Sequence, residues 1–111
     1  MDSKLFSGTL EMLILEVISA GPTYGYEIAQ QVVQRSGERF ESKEGSLYPA
    51  LHRMQRQKML AHEWREADGR RRKYYKLTAV GKKALVKKKT EWLEFTRGIE
   101  GVLGGITYGM A

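Results

Sequence analysis

No cysteine occurs anywhere in the chain, so it can form neither a disulfide framework nor a thiolate zinc site. Histidine is nearly as scarce: His52 and His62 are the only two, too few for a typical histidine metal centre. Long apolar runs are missing as well. The most hydrophobic stretch near the start, Leu10 to Ala20, is broken by Glu11 and Glu16 and has no cationic leader before it. It also falls short of the roughly 18 continuous apolar residues that spanning a bilayer requires. Neither export nor membrane insertion is expected, and the chain reads as cytoplasmic. The patterns of catalysis are absent too: there are no nucleophile-elbow glycines, no glycine-rich phosphate loop followed by lysine, and no paired carboxylates in an apolar setting. No metal, no cofactor and no enzymatic activity are expected.

What is present fits one folding domain. A chain of 111 residues has length for a single core. With 41% hydrophobic and 29% charged residues it is neither a disordered tail nor a collagen-like fibre. Placement of charge says more than its total of +6. Between Lys43 and Thr90 stand 15 Lys or Arg against four acids (Glu44, Glu63, Glu66 and Asp68), so this block carries +11 and the remainder −5. A segregated basic region repels itself, which costs stability and points to a polyanionic partner such as nucleic acid. A solvated lysine face is the plainer alternative for the lysines alone.

Apolar residues from Ser7 to Ala20 (Leu10, Leu13, Ile14, Val17, Ile18) recur at helical spacing, and Met12 and Leu15 widen the stripe almost all round. This helix is expected to be central and to stop at Gly21-Pro22. Thr23 then caps a second helix whose Ile28, Ala29, Val32 and Val33 share a face, and Ser36-Gly37 ends it. A third helix starts near Ser42 or Ser46 and runs to about Lys58, burying Leu47, Leu51 and Met54. Pro49 is harmless in its first turn if Ser46 is the cap, but removes an internal bond if Ser42 is.

The period then changes from 3.6 to 2. Leu60, His62 and Trp64 alternate with Ala61, Glu63 and Arg65, Asp68-Gly69 supplies a turn, and Lys73, Tyr75 and Leu77 alternate with Arg72, Tyr74 and Lys76, which predicts a hairpin with a basic tip. Thr78 fits the N-cap of a fourth helix. Within that helix Leu85, Trp92, Ile99 and Ile106 repeat every seven residues, with Phe95 and Val102 in a second series, so a helix-pairing seam is expected. Lys88 interrupts the second series. Gly98, Gly101, Gly104 and Gly105 each lower helix propensity by about 1 kcal/mol relative to Ala, so fraying, bending or close packing is expected beyond Arg97.

The predicted class is mainly α with a small β-hairpin (α+β). It consists of a winged helix-turn-helix over residues 1–78, then a C-terminal dimerisation helix and glycine-rich tail over 79–111. The elements nearest the positive charge are the ones this fold offers to DNA.

Three segments stand in an informative order: Thr23-Tyr24-Gly25-Tyr26-Glu27-Ile28, Gly45-Ser46-Leu47-Tyr48-Pro49-Ala50-Leu51-His52-Arg53, and Arg71-Arg72-Lys73-Tyr74-Tyr75-Lys76-Leu77-Thr78 followed by Gly81. Over roughly residues 9 to 85 they resemble the PadR family of bacterial transcriptional regulators. The resemblance implies a repressor that dimerises through its C-terminal segment and binds a palindromic double-stranded DNA operator as a homodimer. The short stretch after Thr78 is similar to the subfamily with one long C-terminal helix. Some relatives of that kind bind flat aromatic drugs or phenolic compounds at the dimer interface, which makes a small aromatic or phenolic effector a candidate partner.

On the third helix Tyr48, His52 and Arg56 are spaced by four and share a face, with Pro49 and Arg53 beside them. Gly45 and Ser46 can offer backbone N–H groups to a phosphate, Tyr48 suits a phosphate, and His52 and Arg53 are candidates for base edges in the major groove. Arg70, Arg71, Arg72 and Lys73 at the hairpin tip form the wing, where one arginine can enter the minor groove. Lys43 and Gln30 are further candidate phosphate contacts. A solvated face or an exposed turn is the bland reading of each set. Tyr26 and one of Tyr74 and Tyr75 are expected to pack rather than to stack on bases. Trp92, Phe95 and Ile99 on the seam line either a site for a planar effector or plain dimer packing. A protein-interaction adaptor that turns its basic face to an acidic partner is the competing function. RNA binding lacks a strand carrying the stacking aromatics it needs.

Overall fold

The computed structural model describes residues 9–41 and 44–104; Ser7, the candidate cap Ser42, the candidate phosphate contact Lys43 and the last seam residue Ile106 lie outside the described residues. Among the described residues the chain runs α1 (Leu10–Ser19), β1 (Thr23–Tyr24), α2 (Gly25–Arg35), α3 (Glu44–Arg56), β2 (Leu60–Ala67), β3 (Arg70–Leu77) and α4 (Ala79–Leu103). The strands make one antiparallel sheet in the order β1-β3-β2.

α1 is the centre of the molecule. Its near-continuous apolar surface is accounted for by neighbours on several sides, α2, α3, α4 and β3. Ile14, Leu15 and Ile18 are fully buried together with Ile28 of α2 and Leu51 and Met54 of α3. Each such side chain contributes about 1.5–3 kcal/mol on leaving water.

Thr23 does not cap α2. It pairs with Tyr75, and Tyr24 pairs with Tyr74, as a two-residue strand on the open edge of β3. The N-cap of α2 is Tyr24, with no side-chain capping bond. Pairing with β3 keeps Thr23 extended one residue before the cap position, so its hydroxyl does not reach the first turn of α2. The expected hairpin is thus two strands of a three-stranded sheet. α2 does end at Ser36-Gly37, where Gly37 N donates to the Gln34 carbonyl (3.0 Å) and Glu38 N to the Val33 carbonyl (2.9 Å). The same reciprocal closure ends α3, with Lys58 N bonded to Gln55 O (2.9 Å) and Met59 N to Met54 O (3.0 Å).

α3 is already helical at Glu44, which places Pro49 inside it. The Gly45 carbonyl therefore lacks the donor that residue 49 would normally supply. In the hairpin, Ala67 faces Arg70, and Asp68 (φ 53°) and Gly69 (φ 73°) form the two-residue turn whose twist matches the strands.

Thr78 joins this sheet to α4. Its Oγ1 accepts from Gly81 N (3.0 Å) as the expected N-cap, and donates to the Lys58 carbonyl (2.6 Å) at the end of α3. Its backbone N–H donates to the Met59 carbonyl (3.1 Å). Gly81 stands where it does because a Cβ there would lie 2.1 Å from the Met59 carbonyl oxygen. The start of α4 is therefore pinned to the α3–β2 junction. Beyond Arg97 the helix runs through Gly98 and Gly101 to Leu103 and ends at Gly104, which takes the left-handed conformation and closes it with its N–H on the Glu100 carbonyl (2.9 Å). The rest of the tail lies outside the described residues.

Gly81→Ala is expected to destabilise the protein by about 1–3 kcal/mol through overpacking against backbone. Thermal denaturation followed by circular dichroism should show Tm falling by at least about 4 °C. An unchanged Tm would mean that α4 is not held at this junction.

Candidate nucleic-acid interface

α3 divides cleanly. Leu47, Ala50, Leu51 and Met54 are buried, while Gly45, Ser46, Tyr48, His52, Arg53 and Arg56 are exposed. Tyr48 lies across the first residue of α2, so closely that a Cβ on Gly25 would sit 2.6 Å from its ring. Gly25 thus lets the two helices of the helix-turn-helix approach. Tyr26 is not a packing residue as expected: it is 58% exposed, and its hydroxyl accepts a bond from Gln30 Nε2 (2.9 Å). Its place in the first turn of α2, beside the buried Gly25 and Ile28, aims it outward. Tyr75 is the packing member of its pair, 3% exposed, and burial pushes its hydroxyl pKa up.

The wing cations are organised by aromatic rings on both faces of the hairpin. On one face Arg72 lies 4.5 Å from the Tyr24 ring centre, Tyr24 packs on Tyr74 (5.4 Å), and Arg65 covers Tyr74 at 4.8 Å. On the other, Arg71 lies over Trp64 at 4.8 Å and Lys73 Nζ over Tyr75 at 5.3 Å. Trp64 in turn meets the edge of His62, whose Nδ1 is 2.7 Å from Gln55 Nε2 at the end of α3. Arg65 also donates to Glu63 (2.7 Å), and this guanidinium holds the Glu63 carboxyl below its ordinary pKa. Quadrupole attraction and restricted rotamers keep these cations projecting from a narrow ribbon despite their mutual repulsion.

Two concavities sort the candidate residues. Tyr48 from α3 and Arg70, Arg72 and Lys73 from the wing share a cleft of about 490 Å3 with Tyr24, Gly25 and Tyr26. The start of the third helix and the wing are therefore brought together. Arg53 is not with them. Its Nε donates to Glu11 Oε2 of α1 at 3.0 Å, and it lines a different groove, about 370 Å3, with Lys88, Trp92 and Phe95 of α4. The expectation that Arg53 stands beside Tyr48, His52 and Arg56 on one surface is corrected to that extent. Arg53 sits at the edge of the exposed face, and a carboxylate within reach on α1 draws it inward.

Trp92 and Phe95 pack ring to ring at 5.9 Å and remain 41% and 59% exposed, as does Ile99 at 40%. Glu11 and Glu16 were not among the candidate residues. Their one visible signal was the interruption of an otherwise apolar helix. Among the described residues there is no cluster suited to a metal and no helix long and apolar enough to cross a membrane.

Three helices closed by a basic, aromatic-braced hairpin define a winged helix-turn-helix of the DNA-binding kind. The model of the PadR-like transcriptional regulator family matches residues 14–87, and the chain belongs to that family. A PadR family transcription regulator from Clostridium difficile R20291 is 38% identical, with a TM-score of 0.76 over 86% of this chain and 99% of that one. A transcriptional regulator from Clostridium thermocellum superposes with a TM-score of 0.83 at 28% identity, over 88% and 96% of the two chains. A transcriptional regulator of Mycobacterium tuberculosis is 39% identical over 75 residues, 68% of this chain and 65% of that one. The protein is a PadR-like transcriptional regulator.

The depressed Glu63 pKa carries a sign. The Glu63–Arg65 pair supports the hairpin above the ordinary carboxylate range, and that support is lost as pH falls through the lowered value. Carboxyl 13C titration should place the Glu63 midpoint below 4.5, and Arg65→Ala should return it to the ordinary range. A Glu63 midpoint indifferent to Arg65→Ala would remove the pair from the wing.

Proposed function

We propose that the protein is a homodimeric repressor that binds a palindromic operator and is released by a planar aromatic effector. The shared cleft of Tyr48 with Arg70 and Arg72 supports the DNA half of this reading most strongly, since helix-borne and wing-borne donors there converge on one strip of surface. In it a phosphate meets Tyr48, Arg70 and Arg72, while at the start of α3 Gly45 and Ser46 offer backbone N–H groups and on its exposed face His52 and Arg56 approach base edges. The stacked arginines act as preorganised phosphate contacts.

The dimer half is supported by α4. The stripe that buries Leu85 against the domain runs on through Trp92, Phe95, Ile99 and Val102, which are 40–87% exposed. Contiguous apolar surface of this kind marks an interaction site, and its heptad phase fits a second copy of the same helix. Two copies would set two recognition helices against half-sites about one helical turn of DNA apart. An effector seated against Trp92 would relieve repression by binding the non-operator state more tightly, about 1.4 kcal/mol for each tenfold loss of operator affinity.

Binding to random-sequence duplex DNA should fall steeply with salt, and Arg72→Ala should reduce the log–log slope by about 0.9. Trp64→Ala keeps every charge, so it should weaken binding about two- to fivefold, the worth of an exposed cation–ring contact, with the slope unchanged. A flat salt response in the natural protein would defeat the DNA reading.

In a Trp64→Phe chain Trp92 is the only tryptophan. Sedimentation should show a dimer, and planar aromatic compounds should quench Trp92 emission. Ile99→Asp should abolish both dimer and quenching. A monomer in the parent chain would remove the seam, and a dimer with no quenching across a compound panel would return Trp92 to packing.

A further inference from the structure

The two acids that interrupt α1 both reach across to other helices. Glu11 Oε2 accepts from Arg53 of α3 at 3.0 Å while its Oε1 lies 3.8 Å from Lys88 of α4. Glu16 Oε1 accepts from Lys89 of α4 at 2.7 Å, with Arg35 of α2 at 4.0 Å from its other oxygen. One helix thus yokes α4 to both helices of the helix-turn-helix. The Glu11 arm ends on a side chain that borders the exposed face of α3.

Arg53 is not locked there. Its side chain is 46% exposed and that of Glu11 24%, and an ion pair so open to water is a bias rather than a fixture. A DNA phosphate is an acceptor of the same kind as the Glu11 carboxylate. The guanidinium therefore has two competing destinations. We infer that Glu11 is a positioning residue that holds Arg53 off the DNA surface and keeps it in reserve. Lys88 of α4 draws on the same carboxylate, so the helix-pairing segment has a polar connection to the DNA-reading helix. The inference rests on the DNA-binding reading, to which it adds a control point. It also accounts for Arg53 lining the Trp92 groove while Tyr48 and the wing line the other cleft.

The test uses the full chain and random-sequence duplex DNA, with the salt dependence of binding as readout and circular dichroism to verify folding. Arg53→Ala alone should leave the log–log slope nearly unchanged, because Arg53 is not on a phosphate. Glu11→Gln, nearly isosteric, should steepen the slope by about 0.9, one added phosphate contact. It should also tighten low-salt binding about two- to fivefold, the bias of an exposed pair. The double variant Glu11→Gln/Arg53→Ala should lose that gain. Glu16→Gln removes the same charge from the same helix and should leave the slope alone. A slope unmoved by Glu11→Gln, a gain that survives without Arg53, or an equal gain in Glu16→Gln overturns the inference. So does a full loss of about 0.9 in Arg53→Ala, which needs no change in α1. Absence of salt-dependent binding in the natural protein would instead bring down the DNA reading, and this inference with it.

Discussion

The structure depends on α1 being packed on several sides at once. A surface helix needs an apolar stripe and can leave the rest of its circumference polar. α1 has α2, α3, α4 and β3 around it, and in its ten residues the two acids and Ser19 are the polar positions. Because α3 and α4 both rest on it, their mutual placement is set by the shapes of Ile14, Leu15 and Ile18 and not by a flexible link. Interiors of this density do not deform gradually. Displacement of α4 then has few outlets: sliding over α1, or motion at the Thr78–Gly81 junction, where its start is bonded to the end of α3.

Much of this was legible in the residues. Helical periodicity located all four helices, alternation located the hairpin, and Asp68-Gly69 located its turn, because each is a repeated local preference sampled many times. The misses have a common cause. β1 is two residues long, too short to show a period, and it exists because β3 offers an unpaired edge. Thr23 has the chemistry of a cap, yet pairing with Tyr75 holds it in the strand and leaves the cap position to Tyr24. Tyr26 looked like core because aromatics usually are, but a single residue in a first turn does not reveal which way it faces. The direction of Arg53 depends on a carboxylate 42 positions earlier, a contact that no local pattern encodes. The glycines at 98 and 101 marked low propensity correctly without marking an end.

The wing illustrates how a sequence can carry like charges in succession. Arg70 to Lys73 place four cations on one strand, alternating between its faces, and exposed repulsion of this sort is weak but cumulative. Three of them have a ring beneath the charge: Arg72 lies over Tyr24 on one face, Arg71 over Trp64 and Lys73 over Tyr75 on the other. Arginine suits such a place better than lysine, since its planar, weakly hydrated group can lie on a ring and keep outward N–H donors for a phosphate. Tyr24, Tyr74, Tyr75 and Trp64 are thus engaged with one another or with cations of the same hairpin, which accounts for a basic ribbon rich in aromatics.

α4 poses the last problem. Its first turns are held by Leu85 in the core, and Lys88 and Lys89 tie it to the acids of α1, so its anchoring is accounted for up to about Trp92. Beyond that the helix continues over several turns with Gly98 and Gly101 inside it, each costing about 1 kcal/mol relative to Ala. Neither glycine is demanded by the protomer, since a Cβ at either position would meet nothing within 4 Å. A solvent-exposed helical end that is apolar on one stripe and weakened by glycine gains little from its own sequence. Pairing with a second copy would supply the missing stabilisation along the same stripe that buries Leu85. On that view the last turns of α4 would draw their stability from pairing, and the placement of two copies would depend on them.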